Sequence, residues 1–150
     1  MGVQLRERWV GQPLWARWVL AVYLIGFLEG ACAHFLDLIR GGFHGYASFP
    51  QVAFQAFFIS LAVLDPLVVV LVAFVRRQGV WLASGVMVLD VSANWIGNWQ
   101  WLHDDPAGLL RPVGLSPITL FGLFVVASLV PLHRATAMTQ RKPQAVMPSR

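Results

Sequence analysis

The chain has 150 residues, of which 57% are hydrophobic and 12% are charged, and its mean hydropathy is +0.64. A soluble domain is about 45–50% apolar and about 25% charged, so this composition excludes an ordinary soluble domain and predicts an integral membrane protein. In a membrane protein the formal net charge of +4 indicates topology, and we expect no nucleic acid partner. Cys32 is the single cysteine, which excludes an internal disulfide and a CxxC redox pair.

The N-terminal segment carries Arg6, Arg8 and Arg17 ahead of the first apolar run. In a removable signal peptide this run would stop near Ala31-Cys32-Ala33, whereas here it continues as far as Ile39. We therefore interpret the segment as retained.

Four apolar segments are each long enough, at 1.5 Å per residue, to cross a hydrocarbon core of about 30 Å. They predict an all-α integral membrane bundle of four transmembrane helices, at about residues 18–39, 51–75, 80–101 and 116–132. Charged and helix-breaking residues between the segments are typical of exposed turns. Residues 1–137 thus form one predicted transmembrane domain, and residues 138–150 a predicted disordered cytoplasmic tail.

The basic residues predict how the bundle is oriented. Nine of the 11 Lys and Arg residues fall on one side of the predicted spans, and only Arg40 and Arg111 fall on the other. Because the basic side faces the cytoplasm, both termini are expected there, in a multi-pass protein of a cell membrane. We expect a bacterial inner membrane because the chain is short and lacks a eukaryotic sorting signal.

Three acidic residues fall near the middle of the predicted spans, namely Glu29, Asp65 and Asp90. One Asp at the centre of a transmembrane helix costs about 2.5–3.5 kcal/mol on an insertion scale. The spans contain no Lys or Arg that could offset this cost. We therefore expect the acids either to be protonated or to share a cavity with water and a bound cation. Their depths are similar, so the geometry allows one common pocket.

Local spacing supports an inward-facing site. Gly26 and Gly30 form a small-residue pair that lets two helices approach closely, so Glu29 is expected beside a packing seam. Asp90 and Asn94 lie one turn apart on one helix face, where they can share a hydrogen bond or present oxygens to one ion.

Asp65 is followed by Pro66, which frees a backbone carbonyl one turn earlier to which a protonated Asp65 could donate. A purely structural set of hydrogen bonds is thus the alternative to a functional cavity. The predicted ligand-binding or ion-binding residues are Glu29, Asp65, Asp90 and Asn94.

A second polar group is expected toward the outer face, with His34 and Asp37 late in the first helix and His103 and Asp104 after the third. His and Asp can bind zinc, but neither an HxxxH nor an HExxH pattern is present, so we predict no metal site. The sequence also lacks a phosphate-binding glycine loop and a nucleophile motif. We therefore expect no cofactor and assign no catalytic residue.

Three functions stay open. The first is binding or transport of a proton, a cation or an amphipathic small molecule at the intramembrane carboxylates. The second is an accessory or assembly subunit whose polar groups join the helices of a membrane complex. The third is a membrane enzyme that acts on an isoprenoid or another lipid by carboxyl acid/base chemistry. Four helices are few for a solute pathway, so a homo-oligomer or a membrane partner is expected within the lipid bilayer.

Overall fold

The structure, a computed structural model, describes residues 2–47, 49, 51–110 and 114–141. Its helices are α1 (Gly2–Val10), α2 (Leu14–Gly41), α3 (Val52–Ala73), α4 (Arg77–Gly97), α5 (Trp99–Asp104) and α6 (Leu115–Arg141). Two short 3₁₀ turns, Gly42–His44 and Pro106–Leu110, follow α2 and α5. The structure is 89% helical, and its described part contains no strand. The all-α prediction is therefore confirmed.

The helices α2, α3, α4 and α6 are long and apolar enough to cross a membrane, which confirms the prediction of four transmembrane helices. Mean hydropathy over the spanning window is highest in α3, at 2.5, and lowest in α4, at 1.3. With nine and six residues, α1 and α5 are too short to span a core of about 30 Å. The protein is a multi-pass membrane bundle.

The helix ends differ from the predicted spans. Helix α2 begins at Leu14, ahead of the predicted start at residue 18, because Pro13 is extended and Leu14 is the first residue free to turn into the helix. Helix α4 ends at Gly97, before the predicted end at residue 101, because Asn98 leaves the helical conformation and the chain restarts as α5.

The last helix is longer than its predicted span. Residues 138–141, which open the predicted tail, continue α6. The rest of that tail, residues 142–150, lies outside the described residues, as does Arg111 in the predicted outer loop.

The four spanning helices pack in chain order, α2 along α3, α3 along α4 and α4 along α6. Aromatic rings join the first helix to the last, with Phe27 edge-on against Phe121 at a centroid distance of 5.6 Å. Buried small and aliphatic side chains fill the interior, among them Leu20, Leu61, Val68, Val72, Val80, Ala83, Val125 and Leu132. Close packing of this kind holds transmembrane helices together where lipid is as apolar as the core.

The bundle has two distinct ends. We call the end that carries Arg8, Arg17, Arg76 and Arg77 the arginine-rich end, and the end with the turn Gly42–His44 the loop end. At the arginine-rich end α1 covers the last turn of α3, where the Nη1 atom of Arg8 donates to the Phe74 carbonyl at 3.2 Å. Carbonyls at a helix C-terminus have no partner within the helix, so this contact fixes α1 against the bundle.

Candidate functional site

Helices α2 and α3 approach each other closely at Gly30. A Cβ atom on this residue would lie 2.8 Å from the Oδ2 atom of Asp65, so the carboxyl group occupies the space that a side chain would need. Gly26 likewise faces the ring of Phe121 on α6. The two glycines thus leave space for side chains of two different helices, α6 at Gly26 and α3 at Gly30, and Asp65 lies against α2.

Asp65 is buried in the middle of α3, with 4% of its surface exposed. Its Oδ2 atom lies 3.8 Å from the Nε2 atom of His34 on α2. His34 is half-buried and lies about two turns, or about 10 Å, from the loop end of its helix. An acid in the middle of one span thus faces an imidazole on the neighbouring span.

The other side of the His34 ring continues toward the loop end. Its Nδ1 atom lies 2.7 Å from the hydroxyl oxygen of Tyr46, and the Tyr46 hydroxyl donates to Oδ2 of Asp37 at 3.1 Å. Asp37 is exposed. One hydrogen-bonded row therefore leads from an exposed carboxylate through a phenol to an imidazole.

A tight turn places Tyr46 over α2. Gly42 has a φ of 57°, which glycine adopts at little cost, and a Cβ on Gly45 would lie 3.1 Å from the Asp37 carbonyl oxygen. The Tyr46 ring then stacks on Phe58 of α3, with centroids 5.4 Å apart and the planes 24° from parallel. The turn and the aromatic contact together hold the hydroxyl between His34 and Asp37.

Tyr46 lies outside the spanning helices and is 7% exposed. Burial, the charge of Asp37 and the hydrogen bond to it raise the pKa of Tyr46 above its ordinary value. An ordinary tyrosine titrates near pH 10. The phenol therefore keeps its proton throughout the neutral range and acts as a donor to the Asp37 carboxylate.

Asp90 and Asn94 form the third part of the site, on α4. The Nδ2 atom of Asn94 donates to Oδ1 of Asp90 at 2.9 Å, which confirms the predicted hydrogen bond between them. Asp90 is half-buried, and its charge contributes to the raised pKa of Tyr46. Asp90 therefore acts electrostatically on the row at Tyr46.

We call this set of side chains the polar chain; its members are Asp37, Tyr46, His34, Asp65, Asp90 and Asn94. It draws on α2, the turn that follows it, α3 and α4. The polar chain contains Asp65, Asp90 and Asn94 from the predicted intramembrane site. It also contains His34 and Asp37, which were expected in a separate group at the outer face.

Glu29 does not join the polar chain. Its side chain is exposed on the outer surface of α2, although it lies next to Gly30 in the sequence. Successive residues of a helix are about 100° apart, so a position two residues from the buried Phe27 and Ala31 lies on the opposite face. The expectation of one pocket shared by all three acids is therefore wrong for Glu29.

The other two predicted outer residues also lie apart. His103 and Asp104 are exposed on α5, where Nδ1 of His103 donates to the Trp99 carbonyl of the same helix at 3.1 Å. That contact is local and connects His103 to none of the spanning helices.

Tyr46 is the residue that sequence reasoning missed. It follows the last turn of α2 in a segment that reads as an exposed loop. The available signal was the glycine-rich turn Gly42–Gly45 directly after a helix that presents His34 and Asp37 on one face. A turn of this kind can fold an aromatic residue back over that face.

In the part of the chain that the structure describes, no group of three or more His, Cys, Asp or Glu side chains is placed to hold a metal ion. The titratable groups of the polar chain follow one another in a row and do not surround one point. Such a row is suited to passing protons between neighbouring groups.

Comparison with protein-family models, curated proteins and solved structures found no match for this chain. The class that the fold and site define is a four-helix, multi-pass membrane protein with titratable groups between its helices.

Proposed function

We propose that this protein binds and transfers protons at an intramembrane carboxyl site, which exchanges with the loop end of the bundle through the polar chain. The observation that carries the proposal is the hydrogen-bonded row of Asp37, Tyr46 and His34, with the buried Asp65 at its inner end. Rows of Asp, His and other titratable groups inside membranes are typical of proton relays.

The direction of the hydrogen bonds assigns the protons. The Tyr46 hydroxyl donates to Asp37, so its oxygen accepts from Nδ1–H of His34. A neutral imidazole carries one proton, which leaves Nε2 as an acceptor facing Asp65. The proton of the loaded site therefore resides on Asp65.

Transfer moves three protons by one position each. Asp65 gives its proton to Nε2 of His34, Nδ1 gives its proton to the Tyr46 oxygen, and Tyr46 gives its proton to the Asp37 carboxylate. The net change is one proton lost by Asp65 and one gained by Asp37, which is exposed and releases it to water. Loading is the reverse of this sequence.

One link of the row is open. The 3.8 Å between Nε2 of His34 and Oδ2 of Asp65 exceeds the about 2.7–3.2 Å of a hydrogen bond. An approach of about 1 Å or a bridging water would complete the connection. Exchange at Asp65 is thereby controlled by how closely α2 packs on α3.

Toward the arginine-rich end the site is closed. Val68 and Val72, which follow Asp65 on α3, are both 0% exposed. Asp65 therefore loads from the loop end in this conformation. Asp90 provides a second intramembrane carboxyl group, which accepts a hydrogen bond from the amide of Asn94.

The positive-inside rule supports an orientation with the arginine-rich end in the cytoplasm and the loop end outside, in a bacterial inner membrane. In that orientation Asp65 exchanges protons with the outer side. Labelling of a cysteine introduced at the exposed Phe43, in a Cys32→Ser background, tests the orientation in intact cells. An impermeant reagent should label it from outside, and labelling only after lysis would reverse the orientation.

The proposal is tested by counting protons taken up by protein in lipid nanodiscs after an acid pulse. We expect the Asp65→Asn variant to take up about one proton fewer than the wild type, because the amide cannot titrate. The Tyr46→Phe variant should take up the same number more slowly, since it removes the hydroxyl and retains the ring that stacks on Phe58. Equal uptake by Asp65→Asn and the wild type would mean a structural, permanently protonated acid and would refute the proposal.

A second function, assembly into a membrane complex, is favoured by Glu29. Its exposed side chain lies in the middle of a spanning helix, where contact with lipid costs about 2.5–3.5 kcal/mol. Contact with a second copy of this chain along α2 would remove that cost, because two protonated carboxyl groups can bond to each other. Cys32 is exposed three residues later, beside Glu29.

Oxidative crosslinking in native membranes tests this assembly. The wild type should form a Cys32 disulfide dimer, and Glu29→Ala should reduce it. A Cys32→Ser, Val63→Cys protein is the control, since Val63 is 69% exposed on α3 and should not crosslink. Equal crosslinking from both positions would indicate random collision and contradict assembly through α2.

A further inference from the structure

A groove opens on the bundle surface near the arginine-rich end, away from the polar chain. It has a volume of about 760 Å³ and lies among α3, α4 and α6. Arg77, Trp81 and His133 line it toward the arginine-rich end, and the leucines Leu64, Leu82 and Leu89 line it farther toward the middle of the bundle. The groove therefore has a polar opening at the arginine-rich end and an apolar lining toward the middle of the bundle.

The depth of the groove fits a chain-like ligand. Arg77 is the first residue of α4 and Leu89 lies twelve residues farther along the helix, or about 18 Å at 1.5 Å per residue. The groove thus extends over more than half of a hydrocarbon core of about 30 Å. Gly85 lies midway along it, and a Cβ atom there would contact nothing within 4 Å. The missing side chain leaves the channel open at this level.

At the polar opening, two hydrogen-bond donors face the ring of His133, which can accept from only one of them. The Nη2 atom of Arg77 lies 2.8 Å from Nε2 of His133, and the indole nitrogen of Trp81 lies 3.1 Å from Nδ1 of the same ring. A neutral imidazole has one acceptor nitrogen, and an imidazolium has none. The ring can therefore satisfy at most one of these two donors, and the other needs a different acceptor.

Charge and shape together identify the missing acceptor. An anionic oxygen accepts strongly from arginine and indole donors, and Arg76 adds a second positive charge beside Arg77. Basic pockets between transmembrane helices bind the phosphate of anionic lipids. We propose that the groove binds an anionic phospholipid, with its phosphate on Arg77, Trp81 and His133 and one acyl chain along Leu82, Gly85 and Leu89.

Native mass spectrometry of the detergent-purified protein, titrated with phosphatidylglycerol and with phosphatidylcholine, tests the headgroup. We expect one phosphatidylglycerol to bind at least about tenfold more tightly than phosphatidylcholine, because phosphatidylglycerol carries a net negative charge that Arg76 and Arg77 attract, whereas the choline cation of phosphatidylcholine offsets its phosphate. Arg77→Gln should remove this preference. Arg134→Gln is the matched control, since Arg134 is an exposed arginine of α6 that does not line the groove.

A second pair of variants tests the acyl chain. Gly85→Phe fills the groove and should weaken phosphatidylglycerol binding about tenfold, whereas Val88→Phe, at an exposed position outside the groove, should leave it unchanged. Inorganic phosphate in excess should not displace the lipid, since it lacks the chain. Equal binding of the two lipids, equal losses in Arg77→Gln and Arg134→Gln, no loss in Gly85→Phe, or displacement by inorganic phosphate would overturn the proposal.

Discussion

Two buried tyrosines, Tyr23 between α2 and α6 and Tyr46 at the loop end, have hydroxyl groups with different kinds of hydrogen-bond partner. Tyr23 on α2 is 0% exposed, and its hydroxyl donates to the Val125 carbonyl at 2.8 Å and bonds to Ser128 at 2.9 Å. These partners do not titrate in the neutral range, so the hydroxyl only joins α2 to α6 by hydrogen bonds. The hydroxyl of Tyr46 instead lies between two titratable side chains, His34 and Asp37.

The comparison separates burial from function. A polar group inside a membrane protein needs a hydrogen-bond partner wherever it lies. What distinguishes the polar chain is that two of its members, Tyr46 and His34, each lie between two titratable groups. The proposed proton relay therefore depends on the spatial order of titratable groups along the row more than on any single buried group.

The largest expected effect comes from breaking the row at its centre. His34→Gln should slow proton uptake at Asp65 by about 100-fold, since an amide cannot accept and release a proton in the same way as imidazole. His103→Gln is the control, because His103 is exposed on α5 and bonds within its own helix. Time-resolved uptake after an acid pulse measures both. Equal slowing in the two variants would mean that the row is not the route.

The contact between α2 and α3 can be disturbed without touching a titratable group. In Gly30→Ala the new methyl group would lie 2.8 Å from Oδ2 of Asp65, so the carboxyl group must shift away. We expect slower uptake and a loss of stability of about 1–3 kcal/mol, as measured by thermal unfolding. Gly41→Ala, where a Cβ contacts nothing within 4 Å, should change neither quantity.

The role of Tyr23 in joining α2 to α6 predicts a stability effect alone. Tyr23→Phe should lower the free energy of unfolding by about 1 kcal/mol, the net contribution of a hydrogen bond. Its proton uptake should match the wild type in rate and number. A reduced number of protons taken up by Tyr23→Phe would place this tyrosine in the relay and remove the contrast between the two tyrosines.

The smallest expected effect is that the phenol of Tyr46 ionises at a higher pH than an ordinary tyrosine. Because the pKa of Tyr46 is raised, the folded protein holds this proton above pH about 10, where the unfolded chain loses it. Stability is therefore unaffected below that pH and falls as the pH rises above it. The chain has two tyrosines, so tyrosinate absorbance of the Tyr23→Phe variant reports Tyr46 alone. Ionisation of Tyr46 near pH 10, as in an ordinary tyrosine, would contradict its burial beside Asp37.

Much of the fold follows from patterns within single segments. Long apolar runs predict the four spanning helices, and the small residues Gly26 and Gly30 predict close packing on α2, which the structure makes with two different helices. The pair Asp90 and Asn94 is equally local, since residues four apart share a helix face. Each of these features depends on periodicity that one helix carries by itself.

The site was harder to predict because it depends on rotation and on chain reversal. Glu29 and Asp65 are both acids at mid-span, and only the rotation of each helix decides that Asp65 faces inward and Glu29 outward. Tyr46 reaches His34 through a turn that relies on the positive φ of Gly42. Neither a rotation nor a reversal leaves a strong periodic signal in the sequence.

The rate of proton uptake in Tyr46→Phe and Tyr23→Phe, compared side by side in nanodiscs, tests the relay most directly. Both variants remove one buried hydroxyl and retain the ring. Uptake should be at least about tenfold slower in Tyr46→Phe and unchanged in Tyr23→Phe. Equal rates in the two variants would show that protons reach Asp65 without passing through the Tyr46 hydroxyl.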